Sequence, residues 1–165
     1  MMYLLDSNIF IEAKNRHYGF DFCPAFWDWL VRENAASQVA SVESVSEELQ
    51  DGSDTLADWA KARPNFFLPA DAAVVASLSV LTEWTTKTDY LDAAINEFLQ
   101  EADYFLIGHA LAHGFTVVTH EKPKNSKKKI QIPDACDANG VAWTDPYAML
   151  RTEGARFVLG PSEAS

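Results

Sequence analysis

Glu101-Ala102-Asp103-Tyr104-Phe105-Leu106-Ile107-Gly108-His109-Ala110-Leu111-Ala112-His113-Gly114-Phe115-Thr116-Val117-Val118-Thr119-His120-Glu121 carries a helix, a stop, a strand and an acid in one run. The helix is predicted from about Asp103 to His113, and Gly114 ends it. Phe115 to Thr119 is too apolar for a strand with one wet face, so it is expected inside a sheet covered on both sides. Glu121 follows directly where that strand runs out.

The same design recurs outward from this stretch. Met2 to Leu5 predicts a short buried strand that runs out at Asp6, and Asn8 to Ala13 continues as helix. Pro24 suits the first position of a helix carrying Phe26, Trp29, Leu30 and Glu33. Gln38 to Val42 is a further strand. Ser44 or Ser46 is expected to cap a helix through Leu49 and Gln50, stopped by Gly52. Ser53 or Asp54 starts another, ended by Pro64, and Asn65 to Leu68 reads as an edge strand. Asp71 to Thr86 is helical, with apolar positions at Val74, Val75, Leu78, Leu81 and Trp84. Thr88 is expected to cap the next helix, which carries Leu91 to Leu99. Val141 to Trp143 predicts a fourth main strand, Asp145-Pro146 a last helix, and Phe157 to Leu159 an edge strand in the tail 154–165. Short apolar strands alternating with helices predict an α/β fold around a parallel sheet. Ligands bind such sheets beyond the carboxyl ends of their strands, where Asp6 and Glu121 fall.

The chain has 165 residues, 48% of them hydrophobic, which predicts one domain spanning 1–165 with a sizeable core. No apolar run reaches the length of a membrane span. No signal peptide is read at the start, and Cys23 and Cys136 match no metal spacing, so a reducing cytoplasm is expected, with a single disulfide between them as the alternative. Net charge is −11, which argues against a nucleic-acid partner. The charge is uneven, however: Lys122, Lys124, Lys127, Lys128 and Lys129 crowd the eight residues after Glu121.

Asp6, Glu48, Asp103 and Glu121 are carboxylates that such a fold can bring together. Clustered acids repel, and divalent cations with oxygen ligands relieve the repulsion. Paired cations of this kind hydrolyse phosphodiesters. The plain alternatives are helix capping for Asp6 and Asp103 and an ordinary loop position for Glu121.

Here the sequence resembles a family. Leu4-Leu5-Asp6-Ser7-Asn8-Ile9 looks like the opening of PIN-domain ribonucleases, and the stretch 101–119 looks like their second half. Val45-Ser46-Glu47-Glu48-Leu49 matches their middle segment. The resemblance implies a three-layer α/β/α sandwich with a central parallel sheet and a Mg²⁺- or Mn²⁺-dependent endoribonuclease. By position it implies Asp6, Glu48, Asp103 and Glu121 as catalytic metal ligands, with Asn8 and Thr119 as polar supports. Glu48 is preferred to its neighbour Glu47, since it lies three after Val45 and directly before Leu49. Glu121 departs from the family, which mostly has Asp there. In size the chain is similar to VapC-type toxins of toxin–antitoxin pairs, and the segment Ile130 to Cys136 resembles a less characterised VapC-like subgroup, which implies a cognate antitoxin protein of helix-turn-helix or metallopeptidase-like type as partner. Homodimerisation through the helices of Asp71 to Leu99 is a further implication.

Lys122, Lys124, Lys127, Lys128 and Lys129 are candidates for holding the phosphates of an RNA substrate, with a solvated loop as the alternative. His109 and His113 have a zinc-like spacing but no third ligand, so packing is preferred. Trp27, Trp29, Trp59 and Trp84 are expected in the core. Other readings are a non-catalytic PIN-like module that binds RNA or protein, a haloacid-dehalogenase-type phosphatase, and a DNA nuclease related to flap enzymes. The phosphatase wants a second acid where Asn8 stands.

Overall fold

A computed structural model describes residues 2–161. The central sheet has five strands: β1 (Tyr3–Leu5), β2 (Val39–Val42), β3 (Phe67–Leu68), β4 (Thr116–Val118) and β5 (Trp143–Thr144). Their order is β3-β2-β1-β4-β5, and every pairing is parallel. Leu4 pairs with Ala40 on one side and Val117 on the other, all fully buried. Nine α-helices are described: α1 (Ser7–Glu12), α2 (Pro24–Ala35), α3 (Glu43–Gln50), α4 (Thr55–Lys61), α5 (Ala72–Thr85), α6 (Asp92–Gln100), α7 (Ala102–His113), α8 (Ile132–Ala138) and α9 (Pro146–Thr152). The result is the expected α/β/α sandwich. No described helix is long and apolar enough to cross a membrane.

The topology places the site. The chain builds β1, β2 and β3 in one direction, then returns to add β4 and β5 on the other side of β1. The order therefore reverses between β1 and β4, and a crevice opens at the carboxyl ends of those two strands.

Several local expectations differ in detail. Neither Ser44 nor Ser46 caps α3; Val42 holds the N-cap position without a side-chain bond, and Ser46 Oγ instead accepts from Gln50 Nε2 at 2.7 Å. Asp54, not Ser53, caps α4 by accepting from the Ala57 N–H. Thr88 does not cap α6; its hydroxyl donates to the Thr85 carbonyl at 2.8 Å, closing the end of α5. Val75 points outward, 58% exposed, while Val74 and Leu81 are buried. The fourth main strand lies slightly later than expected, at β5. Helix α8 falls in a segment given no element from sequence, although Pro133 sits in its first turn, where proline belongs. Phe157 to Leu159 form no strand; the Phe157 ring packs on Tyr18 and Phe26 instead, and Leu159 is exposed. Residues 162–165 of the expected tail lie outside the described residues. Trp27, Trp29 and Trp59 are in the core as expected, and Trp84 packs against it.

Helices α5 and α7 pack closely because α7 has no side chain at Gly108. A Cβ built there lies 2.5 Å from Leu78 Cδ2 and 3.3 Å from its Cγ. Gly108→Ala is therefore expected to lower Tm by about 2–4 °C, because overpacking of about 2 kcal/mol outweighs the roughly 1 kcal/mol that Ala gains over Gly inside a helix. An unchanged thermal unfolding curve would show that Leu78 turns aside without cost.

Candidate active site

Asp6 is the residue at which β1 ends. Its N–H still bonds the Val118 carbonyl of β4 at 3.0 Å, so the backbone is held by the sheet and the side chain is fixed with it. That side chain is 2% exposed and does not cap α1. Thr119 Oγ1 donates to Asp6 Oδ2 at 3.3 Å and accepts from the Glu121 N–H at 3.1 Å, tying the two strand ends together. Ser7, opening α1, donates from Oγ to Glu48 Oε2 at 2.7 Å and so orients the carboxylate offered by α3. Asp103 sits in the first turn of α7 and does not cap it, since Glu101 holds that position without a side-chain bond. Glu121 Oε1 accepts from the Ile132 N–H at 3.2 Å.

These elements enclose a cavity of about 450 Å³. Asp6, Asn8, Glu48, Asp103 and Glu121 all line it. Thr119 lies beneath, in contact with Asp6. Glu47 and Asp51 share the same wall, but Glu48 is the one bonded to Ser7 and electrostatically felt by Asp6.

Burial and like charge act together on the acids. Desolvation first, and then the nearby Glu121 and Glu48, push the Asp6 carboxyl up to about 7, against the opposing bond from Thr119. Asp103 is pushed up to about 8, by burial first and then by Asp6, Glu121 and Glu101, while Lys129 pulls it down. Glu101 is a further acid of the cavity. Burial, and then a hydrogen bond with Glu97 and its charge, raise it to about 7. Its only signal in the sequence is its place two residues before Asp103. Ser7, likewise not singled out from sequence, is marked only by adjacency to Asp6.

Among the described residues, no three His, Cys, Asp or Glu side chains are drawn close enough to form a ready metal cluster. The carboxylates instead face one another around the cavity, as mutual repulsion dictates. The donor set is all oxygen and negatively charged, which fits Mg²⁺ or Mn²⁺, cations that keep part of their water shell and need few direct ligands.

The lysines do not act as one group. Lys129 lines the acidic cavity. Lys124 and Lys127 line a separate cavity of about 710 Å³ with Lys87, Tyr90 and Asp134. Lys122 and Lys128 are exposed and line neither. The loop is tied down rather than free: Lys127 pairs with Asp89, the Leu91 N–H donates to the Lys127 carbonyl at 2.9 Å, and the Lys124 N–H donates to Asp134 Oδ2 at 3.0 Å. His109 Nε2 lies 3.1 Å from the Pro69 carbonyl and His113 Nε2 lies 2.8 Å from Asp71 Oδ2, so the two rings serve packing between α7 and the start of α5.

Residues 3–157 match the family model described as Domain of unknown function (DUF4411). No curated protein matches the chain in sequence. Among solved structures the fold is similar to VapBC2 from Rickettsia felis bound to a DNA fragment from their promoter. The TM-score is 0.55 at 17% identity, covering 88% of this chain and 98% of that one. It is also similar to FitAcB from Neisseria gonorrhoeae, with a TM-score of 0.53 at 22% identity, covering 88% of this chain and 99% of that one.

Proposed function

The chain belongs to the DUF4411 family, and from that footing we propose that it is a divalent-metal-dependent endoribonuclease, the toxin of a toxin–antitoxin pair. The observation that carries this reading is the convergence of Asp6, Glu48, Asp103 and Glu121 on one cavity at the reversal point of a parallel sheet. The similarity in fold to VapBC2 agrees with the VapC-like segments of the sequence.

Asp6, Asp103, Glu48 and Glu121 would hold Mg²⁺ or Mn²⁺. A cation held there would supply a water of lowered pKa and neutralise charge on the scissile phosphate. The chain's own part is positioning. Thr119 fixes the Asp6 carboxylate, Ser7 fixes that of Glu48, and Asn8 adds an amide to the same wall. Lys122, Lys124, Lys127 and Lys128 are proposed to hold phosphates flanking the cleaved bond, as point charges on a tethered loop. An antitoxin partner belongs to the same reading. So does pairing of two copies through α5 and α6, where Val75, Val80 and Leu91 are exposed; light scattering of the isolated chain decides the latter.

The test is cleavage of a mixed panel of single-stranded RNA and DNA, with Mn²⁺ and with chelator. RNA is expected to be cut with Mn²⁺ and spared in chelator. Cleavage of DNA alone would replace the substrate, and cleavage undiminished in chelator would remove the metal. A non-catalytic PIN-like module has one observation in its favour, the lack of a ready three-ligand cluster among the described residues. Such a module shows no Mn²⁺-dependent rise in Tm and cuts nothing.

A further inference from the structure

Among the described residues, Lys129 is the one cation lining the acidic cavity. Among the described residues it makes no direct ion pair; it is exposed and lines the cavity together with Glu101, Asp103 and Glu121. Its backbone is placed from the far side. Ile130, Gln131, Ile132 and Pro133, which follow it, are either fully buried or nearly so. The Ile132 N–H donates to Glu121 Oε1, so the chain leaves the site at Glu121 and is stitched back to that same carboxylate eleven residues later.

That stitch gives a reason for the Glu at 121. Asp is shorter by one methylene and would either fall short of the Ile132 amide or drag the Lys129 segment inward. Glu121 thus engages the chain through Oε1 while the residue lines the cavity.

Resting on the nuclease reading above, we propose that Lys129 is the resident countercation of this cavity and the ligand for the phosphate that enters it. Glu121 is the positioning residue that sets it there through the Ile132 amide. With no divalent ion bound, the ammonium offsets part of the negative charge that the acids lining the cavity carry together. When a strand of RNA arrives, the same compact point charge binds a phosphate oxygen. The two tasks predict opposite effects of its removal. Metal should bind more tightly without the competing charge, and RNA should bind less well. A surface lysine would change neither, and a structural one would weaken both.

The experiment uses the full chain. Mn²⁺ affinity is read calorimetrically, and the affinity of a short single-stranded RNA is read by fluorescence anisotropy in chelator. Lys129→Met is expected to tighten Mn²⁺ by about five- to tenfold, the effect of one nearby charge in a partly wet site. The same variant should weaken RNA several-fold and reduce the slope of log affinity on log salt by about 0.7, the loss of one phosphate contact on a single strand. Lys129→Arg should restore RNA affinity. Glu121→Gln, which keeps the acceptor for Ile132, should retain RNA affinity better than Glu121→Asp. Arg32→Met makes the same charge change at a residue lining neither cavity and should move neither reading. If wild type binds Mn²⁺ and cuts RNA while Lys129→Met matches it in both affinities, this inference is overturned and the nuclease reading stands. If wild type neither binds Mn²⁺ nor cuts RNA, both fall together.

Discussion

Asp6→Asn is expected to reduce Mn²⁺-dependent RNA cleavage by about three orders of magnitude, since metal-assisted charge stabilisation supplies several kcal/mol and each 1.36 kcal/mol is tenfold in rate. The substitution is nearly isosteric. Asn keeps an oxygen that can accept from Thr119 Oγ1, and the backbone bond from residue 6 to the Val118 carbonyl is untouched. The fold should therefore survive, and circular dichroism with thermal unfolding checks that it does. What is lost is the charge at the centre of the donor set, the residue whose position both β1 and β4 define. Undiminished cleavage by a folded Asp6→Asn protein would sink the proposed site. Loss of cleavage with loss of fold would not support it, so both measurements are required.

Asp103→Asn is expected to make the cation-free protein more stable, and increasingly so as pH rises. The Asp103 carboxyl is raised in the folded state to about 8, from an ordinary value near 3.8, chiefly by burial and then by Asp6. A raised carboxyl binds its proton more tightly when folded than when unfolded. The associated stability is fully present below the unfolded value and is lost as pH climbs through the folded one. Wild type therefore bears a penalty that grows from about pH 4 to pH 8, and the Asn variant bears none at this position. A tenfold difference in proton affinity between the folded and unfolded chain is worth about 1.4 kcal/mol. Asp103 and Asp6 repel each other and take up protons as a pair, so we expect a few kcal/mol in total. That corresponds to a Tm higher by about 5–10 °C at pH 9, falling to roughly a quarter of that at pH 5 and vanishing below about pH 4. The comparison is made in chelator by thermal unfolding across that range. Added Mn²⁺ should then narrow the gap, because wild type gains a cation that relieves the repulsion. A variant equal to wild type or less stable at pH 9 would show that Asp103 is not held under this electrostatic load.

The fold is legible in the sequence because its strands are short and uninterrupted. Met2 to Leu5 and Phe115 to Thr119 have no polar alternation, and only a sheet covered on both faces hides such segments. The order of those strands is not in the pattern. It depends on the return of the chain across β1, which involves pairing over about a hundred residues of sequence. Capping is legible where an Asp stands alone before a helix, as at Asp145, which accepts from the Ala148 N–H. It is misleading at Ser44, Ser46 and Thr88, where the hydroxyls bond elsewhere or the helix begins from an uncapped strand end.

In the site, Asp6 and Asp103 can be placed from strand and helix boundaries. The segregation of the lysines cannot, because it follows from how the loop is tied to Asp89 and Asp134 rather than from spacing. Helix α8 is hidden for a related reason. Its seven residues are too few to show a helical period, and the buried Ile130 and Ile132 read equally well as strand.

The position of β1 has one more consequence, for the protein during its own synthesis. Tyr3 pairs with Thr116, and the Asp6 carboxylate meets Thr119 only after most of the chain exists. At translation rates of about 5–20 residues per second, several seconds or more separate the first of these residues from the last. Until then the acids stand apart, and the cavity they line has no floor. The central strand is made first and completed late, so a nascent chain still attached to the ribosome, surrounded by RNA, carries the pieces of the site without the site.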